Sequence, residues 1–136
     1  MTKDMLVISL AVLLSACVAK PKPEQIQHAN YGTKPSRDFM TNAVKNYMAQ
    51  RLVDPASATY QCSEPRKYWI SGGLGESNVD YGKTYYGYYS ICLINAKNRL
   101  GGYAGAEEYH FMIYPTSRGP ALAFFDGYSA GGAVPE

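Results

Sequence analysis

The chain has little charge of either sign and few of the residues that carry chemistry. Of its 136 residues 18% are charged, with 13 Lys and Arg against 11 Asp and Glu and a formal net charge of +2. The basic residues are spread along the chain, so no clustered cationic face of the kind that displaces counterions from nucleic acid is apparent, and nucleic acid is not expected as a partner. There are 2 His, 3 Cys and 1 Trp. No His-Glu-x-x-His, Walker A or Rossmann glycine pattern occurs, and we expect no catalytic residue, no cofactor, no metal and no enzyme. Glu107 and Glu108 are adjacent and would point to opposite faces of a strand, which is poor geometry for two carboxylates acting on one bond. His110 reads as a half-buried strand residue. No apolar run reaches the roughly 20 residues that cross a bilayer as a helix, and the length limits the chain to one domain with one modest core.

What is present begins with an address. Met1 to Cys17 reads as a short start containing Lys3, an apolar run from Met5 to Leu14, then small residues, the pattern of a signal peptide over residues 1–16. Leu14, Ser15, Ala16 and Cys17 resemble the lipobox of bacterial lipoproteins. The resemblance implies cleavage before Cys17 and a diacylglyceryl thioether on its sulfur, with palmitate-type chains. An ordinary signal peptide with an incidental Cys is the competing reading. In Gram-negative lipoproteins an Asp after the lipidated Cys retains the protein in the inner membrane. The residue here is Val18, so the resemblance favours an outer-membrane lipid anchor with the domain facing the periplasm or the cell surface. More than one acyl chain, at roughly 0.8 kcal/mol per buried CH₂, makes such anchoring lasting.

Residues 17–35, the lipidation site and a Pro-, Lys- and Gln-rich stretch containing His28, read as a flexible tether with too little apolar surface to offset its ordering entropy. Ser36 to Val53 then predicts a helix. Ser36 is a start signal, Asp38 favours the dipole, and Met40, Ala43, Val44, Tyr47, Met48 and Leu52 form a stripe at three- and four-residue steps. Pro55 disfavours helical geometry at Asp54 and ends it. Strand-like runs follow at Ala58 to Ser63, Lys67 to Ser71, Tyr85 to Ala96, Glu108 to Tyr114 and Ala121 to Asp126. The Gly-rich stretch from Gly72 to Lys83 reads as a loop, and residues 127–136 as a flexible tail. The fold class expected is α+β, one amphipathic helix on an antiparallel sheet of about four to five strands, with the domain spanning residues 36–126.

With Cys17 assigned to lipid, Cys62 and Cys92 remain as an even pair in an exported chain, which points to a disulfide. Two buried thiols or a redox or metal pair are the alternatives, although no Cys-x-x-Cys or Cys₂His₂ spacing is present.

The segment Asn95 to Gly105, NAKNRLGGYAG, has the composition of a long hairpin connection. Together with Tyr31-Gly32, the helix end Asp54-Pro55-Ala56-Ser57-Ala58 and the Glu64-Pro65-Arg66-Lys67 turn, it resembles a group of small bacterial exported proteins and lipoproteins. That group shares D-P-x-S-A after a helix and N-A-K-N-x-x-G-G-Y-x-G later. The resemblance covers roughly Tyr31 to Ile113 and implies a shared small fold in a cell-envelope setting. It carries over no catalytic residue.

Thirteen Tyr are the compositional excess, with Tyr81, Tyr85, Tyr86, Tyr88 and Tyr89 crowded into nine residues. Tyr offers large contact area at low entropy cost, but cross-strand Tyr pairs also stabilise sheets. Tyr86, Tyr88, Lys97, Asn98, Arg99 and Tyr103 are therefore the candidate contact surface. The function expected is a structural or adaptor part of an envelope assembly, such as a secretion system subunit, with a membrane and an envelope protein as partners. The alternative is a module that binds cell-wall glycan (peptidoglycan) or inhibits a cell-wall hydrolase.

Overall fold

The computed structural model describes residues 20–73, 78–126 and 130–136. The signal peptide and Cys17 lie outside the described residues. The architecture is α+β: helices α1 (Pro23–His28) and α2 (Arg37–Met48), then strands β1 (Thr59–Cys62), β2 (Arg66–Ser71), β3 (Thr84–Asn95), β4 (Glu107–Thr116), β5 (Gly119–Phe125) and β6 (Ala130–Ala133). All pairings are antiparallel, in the order β5-β4-β3-β2-β6, with β1 also on β3. The sheet thus has six strands, not four to five.

Strand β3 organises the sheet because it is long enough to hold two partners end to end on one side. β1 pairs with residues 92–95 and β2 with residues 84–89. Ser63 bridges the interruption between them. Its amide donates to Ile91 O at 2.9 Å, and its hydroxyl accepts from Ile91 N at 3.0 Å. Gly87 marks a second discontinuity. A Cβ there would sit 2.2 Å from the Ile113 carbonyl oxygen, and just beyond it β3 and β4 part: their pairing ends at Tyr88 and Ile113, while β4 runs on beside β5 to Thr116. Pro115, which has no N–H to donate, lies in the extension that β3 leaves unpaired.

Both sheet faces are covered. On one, α2 lays down Met40, Val44 and Met48, all buried, over Ile94, Phe111, Ile113, Phe124 and the Cys62–Cys92 bridge. The Ser36 hydroxyl caps this helix by accepting from Phe39 N at 3.1 Å. The helix ends at Met48, earlier than Val53. Arg51 and Leu52 N–H both donate to Met48 O, closing a turn that swings Leu52 against the core before Pro55 is reached. On the other face Ile70, Tyr85, Tyr89, Met112, Ala123 and Phe125 pack with Val79. Val79 belongs to the Gly72 to Lys83 loop, whose described part crosses to the far edge, where the Asn78 amide bonds Leu122 O and Phe124 N of β5 at 3.0 and 2.6 Å.

Two segments differ from the sequence expectation. The stretch read as a tether contains α1 and the buried Tyr31, whose ring meets Tyr86 edge-on at 5.7 Å and whose hydroxyl donates to Ile26 O at 2.6 Å. An aromatic side chain thus supplies the apolar surface that the composition lacks. The stretch read as a frayed tail contains β6, paired with β2 from Tyr68 to Ser71, and ends in an ion pair between Glu136 and Lys34 at 3.0 Å. Ala and Gly give β6 no side-chain pattern, yet Gly132 is what lets the strand lie against Trp69: a Cβ there would meet the indole Nε1 at 2.8 Å.

Candidate functional site

The connection between β3 and β4 is a built turn. Lys97 and Tyr103 form a bridge, and inside it Asn98 N donates to Gly102 O at 2.9 Å and Gly101 N to Asn98 O at 3.0 Å. The Asn98 side-chain oxygen accepts from Leu100 N at 2.9 Å and Gly102 N at 3.3 Å, the local closure that suits Asn to turns. Gly101 supplies the positive φ, +78°. The base of the turn is braced on the segment after α2. Ser57 Oγ accepts from Lys97 N at 2.9 Å while donating to Asp54 O at 2.8 Å, and Tyr103 OH donates to Ser57 O at 2.8 Å. The D-P-x-S-A and N-A-K-N motifs therefore meet in space at Ser57.

The result is a fixed tip with Leu100 94% exposed, beside Arg99 and next to Tyr103, over whose ring Lys97 Nζ sits at 5.7 Å. Leaving a Leu out of the core forgoes about 1.5–3 kcal/mol of burial. Leu100 was not among the residues picked out from sequence. The signal was available, since it is the one large aliphatic side chain in a turn otherwise made of polar residues, Gly, Ala and Tyr.

The six residues expected to form one contact surface separate into two places. Lys97, Asn98, Arg99 and Tyr103 share the tip. Tyr86 and Tyr88 are half-buried on the α2 side of β3, and Tyr88 alone is seven residues, about 23 Å of strand, from Asn95. Most other Tyr rings are spent on each other. Tyr68 stacks on Tyr89 at 4.6 Å, Tyr89 on His110 at 5.9 Å, and Tyr85 meets Tyr114 and Phe125 edge-on. His110 is half-buried, with its Nδ1 on the Tyr89 hydroxyl and its Nε2 3.2 Å from Glu108. Cys62 and Cys92 are directly opposed in the β1–β3 register, with Cα atoms 4.0 Å apart, and form a disulfide.

A second feature lies at the same end of the sheet. The start of β4, the end of β5 and the residues after α2 enclose a cleft of about 400 Å³. Its apolar wall is Met48, Leu52 and Phe124, and Glu107, Glu108 and Asp126 stand around it. The Arg51 guanidinium sits over the Tyr47 and Phe124 rings, at 4.7 and 5.3 Å from their centroids. Tyr109 OH donates to Glu107 at 2.8 Å. Burial above all, then that hydrogen bond and the Glu107 charge, push its pKa up to about 12. Glu107 and Glu108 do sit on opposite faces, one with Tyr109 and the other with His110. Among the described residues no group of three or more His, Cys, Asp or Glu is placed to hold a metal ion, and no helix is long and apolar enough to cross a membrane.

The chain matches no family model, no curated protein and no solved structure. Its reading rests on its own residues.

Proposed function

We propose that the chain is a lipid-anchored lipoprotein of the outer membrane, held through Cys17, whose domain serves as a structural or adaptor part of an envelope assembly such as a secretion system, and that the β3–β4 tip is its docking surface. The observation that carries the docking half is Leu100, presented almost wholly to solvent on a turn whose backbone is closed by Asn98 and braced on Ser57. A rigid turn with one apolar side chain and two cations, Lys97 and Arg99, loses little entropy on binding, and that is how a small contact gains affinity. The anchor half is supported by the Leu-Ser-Ala-Cys ending of the apolar run.

The glycan-binding alternative has less support. Stacking on sugars needs free ring faces, whereas Tyr31, Tyr85 and Tyr89 are buried and Tyr86 is half-buried with Tyr31 edge-on to it.

Recovery from detergent-solubilised envelopes tests the docking half. The wild-type protein is expected to bring down a stoichiometric protein partner, and Leu100→Glu to lose it while keeping the same thermal transition. Binding to purified sacculi that survives Leu100→Glu but is abolished by Tyr88→Ala would replace this reading with the glycan one. For the anchor, incorporation of a palmitate analogue should vanish in Cys17→Ser, and unchanged labelling would remove it.

A further inference from the structure

We infer that the partner of the tip is a second copy of this chain, each copy seating Leu100 in the cleft beside α2 of the other. The inference rests on the docking reading above and names its occupant. The two surfaces are complementary in kind. The tip offers one aliphatic side chain with Lys97 and Arg99, and no acidic residue occurs from Asn95 to Ala106. The cleft offers Leu52, with the buried Met48 and Phe124 in its wall, and the carboxylates of Glu107 and Asp126, while Glu108 lies on the opposite face with His110.

The other charged or titratable groups facing the cleft do not oppose this. The Arg51 guanidinium is engaged over the Phe124 and Tyr47 rings, and His110 Nε2 lies 3.2 Å from Glu108. Glu107 accepts one hydrogen bond, from Tyr109, and a carboxylate has room for about four. Arg99, with a planar fork of donors that fits a carboxylate, is the natural incoming group.

Position favours mutual exchange over a chain of copies. The tip follows Asn95 at the end of β3, Glu107 opens β4, and Asp126 follows the end of β5, so knob and socket occupy the same end of the sheet. Within one copy the tip is held on Ser57, and an exposure of 94% leaves Leu100 almost free of contact with its own chain. A two-fold axis beyond that end would let both tips enter both clefts at once, an isologous and self-limiting contact. Helix α1, the first described element after the anchor, borders Lys67, Val134 and Pro135, away from this end, and does not obstruct it.

The experiment uses the full lipidated chain in intact cells with a benzophenone amino acid at position 100. An adduct between two copies, mapped to the Met48 to Leu52 segment or to Phe124, is the expected result. An adduct to a different envelope protein would overturn the second-copy inference and leave the docking reading standing. No adduct at all would overturn both. A charge swap gives the same decision without the probe. By sedimentation in detergent, Arg99→Glu is expected to weaken self-association at least tenfold, and Arg99→Glu with Glu107→Arg to restore it. Failure of the swap to restore it would count against the pairing.

Discussion

The two ends of β3 handle apolar surface in opposite ways. At its start, Tyr85, Tyr86, Tyr88 and Tyr89 crowd together, and the fold spends most of them: Tyr85 and Tyr89 are buried with Val79 packed against their cluster, and Tyr86 meets Tyr31 edge-on. Beyond its far end the turn carries one aliphatic side chain, Leu100, and its hydrogen bonds hold that side chain in water. Abundance of aromatic residues is thus a poor guide to a contact surface in so small a domain. A single apolar side chain on a rigid, solvated turn is the better one, because folding gains nothing from it.

The largest break in this comparison comes from the crowded end. If Tyr31 is core, Tyr31→Ala should cost about 3–5 kcal/mol in urea unfolding, as for other buried aromatic truncations, and a cost under about 1 kcal/mol would return this end to the surface. Next is the bridge midway along β3. Cys62 and Cys92 close a loop of 30 residues, so reduction should remove roughly 3 to 4 kcal/mol and lower the thermal midpoint. Thiol alkylation of the native protein should find both Cys unreactive until reductant is added.

A smaller effect belongs to the cleft beside the tip. The Tyr109 pKa is raised above its unfolded value of 10, so its contribution to stability is complete below about pH 10 and is lost as pH rises through about 12. Tyr109→Phe is expected to flatten the alkaline end of the stability curve, and an unchanged slope would mean the hydroxyl is not held there. Smallest of all is Leu100→Glu, which should leave stability within about 0.5 kcal/mol of wild type while abolishing partner recovery.

Much of the fold was legible before the coordinates. The α2 stripe declared itself because Ser36 and the spacing of Met40, Val44 and Met48 agree, and five strands could be read from β-branched and aromatic runs. The disulfide followed from counting Cys. What could not be read depends on contacts between segments distant in the chain. α1 lies in a stretch without a sustained apolar stripe and is tied to the domain through Tyr31, and β6 has no side-chain pattern and exists because Gly132 makes room for Trp69. Of the candidate site, the turn at Asn98 was legible from its turn residues. Its brace on Ser57 and the cleft at the same end were not, since both bring together residues about 40 or more positions apart.

The central claim is that the working surface is the tip, not the tyrosine-rich end. Hydrogen exchange of the full chain in native envelope vesicles, compared with the purified protein at high dilution, tests it most directly. Slowed exchange confined to the amides from Arg99 to Tyr103 and the Met48 to Leu52 segment is the result this account predicts. Slowed exchange around Tyr81 to Tyr88, with the tip unchanged, would contradict it.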